Sequence, residues 1–199
     1  MTSIYSSAKG PSMLALSTPL ELCRFLGLGP SIEQTRLMRK MAEASGAVDV
    51  AMNWPEGKFE LPWDSDTGDA IRAACMVLLW RTLKTPGSRG IVLAPSAEHK
   101  VGELGVLAMA FLDEIVRTRD ENLRDVSRLH GWNRIEFGTE PGWELRAVPC
   151  DEELARVWAP RVRTVLFIGA GSTETPFVEA VKALEAGVDR ETALILRLW

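Results

Sequence analysis

The sequence predicts an α/β fold in which a mostly parallel central sheet carries helices on both faces. Two short aliphatic segments, at 91–94 and 165–168, are closed by proline or glycine, as strands buried on both sides of a parallel sheet often are. Longer apolar segments with helical character alternate with them along the chain. Such close alternation needs crossover connections, which produce a parallel sheet between two helical layers.

The length and composition of the chain favour one globular domain. Its 199 residues can bury a sizeable core, and 46% apolar with 25% charged residues is ordinary for a folded protein. Residues 1–15 are mostly small and polar and include an early glycine and proline, so we expect them to form a flexible N-terminal arm. Residues 16–199 are expected to form a single α/β domain.

The first half of the chain contains predicted helices and strands with clear start signals. Ser17 or Thr18 caps a first short helix, and Ser31 caps a second. The loop at 62–69 leads into a buried helix at 70–84, which ends before a Pro-Gly pair. The other predicted elements are a weak strand at 48–54, the strand at 91–94 and a long helix at about 97–119.

The second half is predicted to contain a hairpin, two helices and two strands. Alternating segments flank Glu140, Pro141 and Gly142, which is typical of a β-hairpin. The run from Arg117 to Arg134 interleaves arginines with acidic residues, which indicates a solvated helix face. The other predicted elements are a short helix or connection at 151–161, the strand at 165–168, a helix at about 176–186 and a last strand at 193–199.

Charge, cysteine and histidine usage argue against several classes of function. The net charge of −4 gives no global field that would attract nucleic acid. Cys23, Cys75 and Cys150 are far apart, so neither a disulfide framework nor a zinc site is indicated. His99 and His130 fit no nucleophile pattern, and we expect both at the surface. No export signal or membrane-spanning segment is visible, which predicts a cytoplasmic protein.

The stretch LPWDSDTGDAIRAACMVLLW, residues 61–80, has the outline of a phosphate-binding loop that opens a buried helix. A working loop of this kind needs a lysine to neutralise phosphate and a hydroxyl to hold magnesium, directly after its last glycine. After Gly68 the chain has Asp69 and Ala70 instead. Because a carboxylate repels phosphate, an ordinary loop with a helix cap is the plainer interpretation.

The same stretch also resembles the start of a calcium loop. Asp64, Asp66 and Asp69 lie close together around a glycine turn, and carboxylates in such a turn can converge on a hard cation. The glycine comes one position early, and Cys75 stands where a bidentate glutamate is needed. A calcium-stabilised module is therefore the weaker alternative, and a chelator-sensitive melting temperature would favour it.

A second glycine-rich turn follows the strand at 165–168. In a Rossmann-like site, Gly169, Gly171, Ser172 and Thr173 would lie near the phosphates of a nucleotide. The full G-x-G-x-x-G pattern is missing, and Glu174 would meet those phosphates. A simple strand-to-helix turn is the alternative.

Taken in order, four segments resemble the N-terminal ATPase domain of tailed-phage terminase large subunits. They are SIEQTRLMRKMAEA, the loop at 63–70, VLLWRTLKTPGSRGIVLAPSAEHKVGEL and VRTVLFIGAGSTETPFVEAVKALEAG. The resemblance covers about residues 30–199 and implies a P-loop NTPase-like three-layer sandwich. It matches Gln34 to a glutamine that contacts adenine and Gly68 to the P-loop glycine, so that Gln34, Thr67 and Gly68 form a vestigial nucleotide site.

The resemblance fails at the residues that would carry out the chemistry. Asp69 stands at the lysine of the family and Ala70 at its serine or threonine. Gly169 and Ala170 stand at the acidic pair that holds magnesium and activates water. ATP hydrolysis at this site is therefore expected to be negligible. The chain ends at Trp199, so the family's C-terminal nuclease domain is expected to be absent.

These comparisons imply a catalytically degenerate domain that acts by binding or regulation in a phage or prophage DNA-packaging setting, in the cytoplasm of a bacterial host. The expected partner is a protein, with packaging components as candidates, rather than nucleic acid or membrane. No cofactor is expected, although an adenine contact at Gln34 leaves room for weak ATP or ADP binding. The alternative is a Rossmann-like nucleotide-binding enzyme or sensor that uses the turn at 169–173.

Overall fold

The structure of this chain is a computed structural model. It describes residues 16–52, 66–85, 87–96, 100–118, 127–131, 133–137 and 143–199. The predicted arm at 1–15 and the first half of the loop at 62–69, residues 62–65, lie outside the described residues.

Six helices and seven strands are found in the described part of the chain. The helices are α1 (Pro19–Phe25), α2 (Ile32–Glu43), α3 (Asp66–Lys84), α4 (Glu103–Thr118), α5 (Glu152–Trp158) and α6 (Thr175–Gly187). The strands are β1 (Ala47–Val50), β2 (Arg89–Leu93), β3 (Ser127–Gly131), β4 (Arg134–Phe137), β5 (Trp143–Ala147), β6 (Val162–Ile168) and β7 (Leu194–Leu198). Of these helices, none combines the length and the apolar character that a membrane crossing requires.

The seven strands form one sheet in the order β1-β7-β6-β2-β5-β4-β3. The first five strands of this order are parallel to their neighbours, and β4 and β3 extend the sheet in antiparallel pairing. In the central pair, Gly90 of β2 lies opposite Thr164 of β6 and Leu93 lies opposite Phe167. The mostly parallel sheet and the hairpin formed by β4 and β5 are thus confirmed.

The sheet separates two apolar cores, which gives three layers of helices, sheet and helices. Successive residues of β6 show this division, because Leu166 packs in the core beneath α1 to α4, while Phe167 packs in the core beneath α5 and α6. Leu78 of α3 is buried in the first core and Phe177 of α6 in the second. Helices on both faces are therefore confirmed, in an architecture of the kind that Rossmann-like and P-loop-like domains share.

Side-chain caps fix the starts of α1 and α2. The Thr18 hydroxyl accepts a hydrogen bond from the Glu21 amide at 3.1 Å. At α2, the Ser31 hydroxyl accepts from the Gln34 amide, and the Gln34 side-chain oxygen accepts from the Ser31 amide. This reciprocal pair is a capping box, in which two amides of the first turn are satisfied at once. Both predicted caps are thus confirmed.

Strand β1 forms one edge of the sheet and is held from two sides. The backbone of Trp199 extends the pairing with β7, because its amide donates to the Val50 carbonyl and its carbonyl accepts from Met52. From α2, the Lys40 ammonium donates to the Asp49 carbonyl at 3.2 Å. The Asp49 carboxylate in turn accepts a hydrogen bond from the Trp199 indole at 2.6 Å.

Two helices begin at positions other than the predicted ones. α3 begins at Asp66, four residues earlier than expected, so Gly68 and Asp69 belong to its first turn. α4 begins at Glu103, and the residues 100–102 before it are not helical. The reason lies at Gly102, where a side chain would collide with the carbonyl groups of residues 94 and 95. The chain therefore folds back closely over the end of β2 before α4 can begin.

The predicted helix face over Arg117 to Arg134 is wrong for the last part of that run. β3 occupies Ser127–Gly131, so His130 lies in a strand, and Arg134 begins β4. β3 is an edge strand that pairs with β4 through its backbone. Edge strands are often short and polar, and β3 lacks the alternation of apolar residues by which strands are recognised in a sequence. The sequence pattern therefore did not indicate it.

Candidate functional site

In open α/β sheets, ligands bind outside the carboxyl ends of the strands, where the chain connections diverge. β2 and β6 are neighbours, yet β2 is followed by α4 on one face of the sheet and β6 by α6 on the other. The crevice between their carboxyl ends is therefore a topological switch point. Both glycine turns singled out in the sequence belong to this edge, one at the start of α3 after β1 and the other directly after β6.

The first turn of α3 contains a carboxylate that neighbouring side chains hold in place. Asp69 Oδ2 accepts a hydrogen bond from the Ser31 hydroxyl at 2.9 Å. Asp69 Oδ1 accepts one from the Gln34 amide nitrogen at 2.7 Å. The Arg72 guanidinium lies 3.9 Å from Oδ1, which adds a loose ion pair within the helix. The carboxylate thus joins the start of α2 to the start of α3.

Of the predicted nucleotide-site residues, Gln34 lies at this junction and contacts Asp69, the residue that follows Gly68. Gln34 donates to Asp69 and also accepts from the Ser31 amide, so one donor and one acceptor position of its amide are already used. Gly68 is buried in the same first turn of α3. Thr67 has its backbone in that turn, but its side chain lies outside the described residues. The sequence indicated Gln34 and Asp69 separately and did not indicate the contact between their side chains.

A cavity of about 540 Å³ adjoins this junction, between the α1–α2 connection and the helices α2, α3 and α4. This volume is within the range of small-molecule pockets, about 300–1,000 Å³. Its walls are formed by Cys23, Gly27, Leu28, Gly29, Pro30, Gln34, Met38, Arg72, Ala73, Met76, Leu107, Ala110, Phe111 and Glu114. Most of these side chains are apolar, while Gln34, Arg72 and Glu114 supply polar groups. The cavity can therefore enclose an apolar body that has a polar edge.

The turn after β6 is built differently, because most of its hydrogen bonds join main-chain groups. Gly169 adopts the left-handed conformation, with φ of +74°. The Ala170 amide donates to the Leu198 carbonyl at 2.8 Å and the Ser172 amide donates to the Gly169 carbonyl at 3.0 Å. The Glu174 amide donates to the Ser172 hydroxyl at 3.3 Å. Two amides of the predicted phosphate turn, and that of Glu174 directly after it, are thus engaged within the protein.

The weaker calcium alternative receives no geometric support from the residues described. Asp64 lies outside them, and the side chain of Asp66 is likewise not described. Asp69 is engaged by Ser31 and Gln34. In the ranges that the structure covers, no three His, Cys, Asp or Glu side chains come close enough to hold a metal ion.

Cys150 lies at the carboxyl edge, just after β5, and sequence reasoning assigned it no role there. Its thiol donates to the Ala94 carbonyl at 3.1 Å, at the end of β2, and the side chain is fully buried. Burial raises the pKa of the Cys150 thiol to about 11, and the negative charge of Glu174 adds to the shift. The thiol is therefore protonated at neutral pH and is a poor nucleophile. No spacing in the sequence signals this position.

No family model matches this chain, and neither does any curated protein or solved structure.

Proposed function

We propose that this chain is a terminase-ATPase-like domain that does not hydrolyse ATP and acts as a binding or regulatory protein in a phage or prophage DNA-packaging setting. The observation that carries the proposal is the Asp69 carboxylate in the first turn of α3. A hydrolysing site would present a lysine to the phosphates at this position. This chain presents an anion that Ser31 and Gln34 hold by hydrogen bonds.

The chemistry of phosphoryl transfer supports the loss of turnover. Catalysis of this reaction consists mainly of positioning and of neutralising the charge on the transferred group, by lysine and magnesium. Two like charges about 4 Å apart near a protein surface repel by on the order of 4 kcal/mol. Asp69 therefore opposes a bound phosphate, and Ala70 has no hydroxyl to offer a magnesium ion.

The end of β6 supports the same conclusion. Gly169 and Ala170 follow this central strand directly, where the resemblance expects the acidic pair. Neither residue has a side chain that could hold a metal ion or activate a water molecule. Compared with the family that the chain resembles, the changes at 69–70 and at 169–170 would therefore disable the same reaction.

The cavity beside Gln34 supports a retained binding function. Gln34 still has a second amide hydrogen and a second acceptor position on its oxygen, and the cavity has the volume of a small-molecule site. Weak ATP or ADP binding without turnover is consistent with this arrangement. The partner that we propose is a protein, with packaging components as the first candidates.

A Rossmann-like nucleotide site at 169–173 is the second candidate, and the geometry favours it less. Phosphates in such a site are held by the turn amides and by the start of the following helix. Here the amides of Ala170 and Ser172 in the turn and of Glu174 after it already have partners, and α6 begins only at Thr175. The second candidate predicts saturable dinucleotide binding that Gly171→Val abolishes, whereas the first predicts none.

Titration with labelled ATP beside a turnover assay, each with and without magnesium, tests the proposal. We expect turnover at the background rate and weak ATP binding that magnesium does not strengthen. Asp69→Ala removes the repulsion and should tighten ATP binding by about tenfold or more without producing turnover. Glu33→Ala, which removes an exposed carboxylate from α2, serves as the charge-matched control. Magnesium-dependent hydrolysis that is lost in Asp69→Ala would overturn the proposal.

A further inference from the structure

Three arginines surround a single carboxylate on the sheet face opposite α3. Arg89 of β2 and Arg134 of β4 bring their Nε atoms 3.2 Å and 3.1 Å from the Glu144 carboxylate of β5. Arg146 Nε lies 2.8 Å from the same group, although it is out of line for a hydrogen bond. The strand register produces this cluster, because Arg89 lies opposite Glu144 and Arg134 lies opposite Arg146.

The cluster belongs to the face that carries the second core. Side chains alternate between the two faces along a strand, so Arg89 shares its face with Ile91, which packs in the core beneath α5 and α6. The Arg146 guanidinium lies over the ring of Trp158 of α5, 4.8 Å from the ring centre, in a cation–π contact that helps to hold it in place. The Asp69 junction lies on the opposite face, with α3, so the two sites are separate.

Positive charge exceeds negative charge in this cluster. Among the described residues, the second carboxylate of the cluster besides Glu144 is Glu136, which contacts Arg134, so that three guanidinium groups face two acids there. Burial lowers the pKa of Arg146, and although Glu144 raises it, the nearby charges of Arg134 and Arg89 lower it further. An additional anion would relieve this repulsion.

Unused donors accompany the excess charge. In all three arginines the nitrogen closest to Glu144 is Nε, so the terminal N–H groups are farther from that carboxylate. Those of Arg89 and Arg146 form no hydrogen bond to another described residue, and a guanidinium has five N–H donors in total. The two side chains are 27% and 20% exposed, so a solute can reach them.

We propose that Arg89, Arg134 and Arg146 form a binding site for one phosphate group, either inorganic phosphate or the terminal phosphate of a small phosphorylated molecule. A terminal phosphate carries close to two negative charges at neutral pH and three strong acceptor oxygens. Planar guanidinium groups bind such oxygens in pairs, which a single lysine cannot do. The chemistry of this site is independent of ATP hydrolysis and goes beyond the function proposed above.

The compactness of the cluster favours one phosphate over a nucleic-acid backbone. β2, β5 and β4 are adjacent strands, so at a strand spacing of about 4.8 Å the three arginines span only about 10 Å. A polynucleotide is normally bound along an extended basic stripe that contacts several phosphates. The three guanidinium groups instead share one central carboxylate.

Isothermal titration calorimetry with inorganic phosphate, at constant ionic strength, tests the site. We expect saturable binding of one phosphate per chain, weakened about tenfold or more in Arg89→Gln and in Arg134→Gln. Arg156→Gln removes an equal charge from α5, where the arginine is exposed and paired only within its helix, and should leave binding unchanged. Glu144→Gln removes the competing anion and should tighten binding, provided that circular dichroism shows a folded protein.

Further arms of the titration distinguish the sources of the phosphate. A small sugar phosphate should bind at least as well as inorganic phosphate and with the same dependence on Arg89, in the wild type and in Asp69→Ala alike. Absence of saturable heat with both ligands would overturn the proposal, leaving the arginines a purely cross-strand role. Equal weakening by Arg156→Gln would also overturn it, as would tighter binding of a single-stranded oligonucleotide that lacks terminal phosphates.

Discussion

The two glycine turns at the carboxyl edge look alike in the sequence and are closed by different means. At the start of α3, the Asp69 carboxylate is held by the side chains of Ser31 and Gln34. After β6, the amides of Ala170 and Ser172 donate to main-chain carbonyls. The first turn therefore carries a negative charge held by side chains, whereas in the second turn the Ala170 and Ser172 amides already have main-chain acceptors.

This difference determines how each turn can be altered. The side-chain hydrogen bonds of the first turn can be removed by one substitution that leaves the backbone in place, because Asp69 is an ordinary helical residue. The main-chain hydrogen bonds of the second turn depend on the left-handed conformation of Gly169 and can be removed only by moving the backbone. We therefore expect the two turns to respond differently to mutation.

The largest expected effect is that of Gly169→Val. A left-handed conformation costs an L-residue about 1–2 kcal/mol, and a β-branched side chain makes it worse, so we expect the free energy of unfolding to fall by about 2 kcal/mol or more. Urea denaturation measures this loss. The control is Gly171→Ala in the same turn, whose added carbon would meet Trp199 at an ordinary 3.5 Å. Equal losses of stability in the two variants would contradict the claim that the turn depends on the left-handed conformation of Gly169.

The next effect is that of Asp69→Ala on stability. Two hydrogen bonds to a carboxylate are lost, one of them from the half-buried Gln34 side chain, which would be left without this acceptor, so we expect a loss of about 1–2 kcal/mol. Asp69→Asn keeps an acceptor oxygen and should lose less. Thermal and urea unfolding of both variants measure the difference. If Asp69→Ala is as stable as the wild type, the hydrogen bonds of Asp69 do not contribute to holding α2 against α3.

The smallest expected effect concerns the end of the second turn. Glu174 is the N-cap residue of α6 but makes no side-chain cap, whereas Asp151 caps α5 through the Leu154 amide at 2.9 Å. Glu174→Asp keeps the charge and shortens the side chain, so it should raise the free energy of unfolding by about 0.5 kcal/mol. The reciprocal change, Asp151→Glu, should lower it by a similar amount. A loss of stability in both variants would show that Glu174 serves another contact.

Local sequence signals were sufficient for most of the fold. β2 and β6 were predictable because their aliphatic residues are buried on both faces and need no partner from a distant segment to be recognised. The caps at Thr18 and Ser31 were predictable because a cap involves only three or four neighbouring residues. The requirement for crossovers predicted that most strands are parallel, but it did not predict their order in the sheet.

The remaining features depend on contacts between distant residues. Gln34 and Asp69 are 35 positions apart, and nothing in either local pattern shows that their side chains meet. The late start of α4 depends on the approach of Gly102 to the end of β2, which is also a tertiary contact. The arginines around Glu144 come from three strands and become a cluster only when the strand register is known. Candidate chemistry could therefore be indicated from the sequence, but its partners could not.

The contact between Lys40 and the Asp49 carbonyl has a consequence for the behaviour of the protein in solution. An uncovered sheet margin is a template on which another chain can add a strand and begin to aggregate. In β1 the carbonyl of Asp49 points away from β7, and the ammonium group of Lys40 already occupies it. The lysine that ties α2 to the sheet thus also works against self-association along this margin.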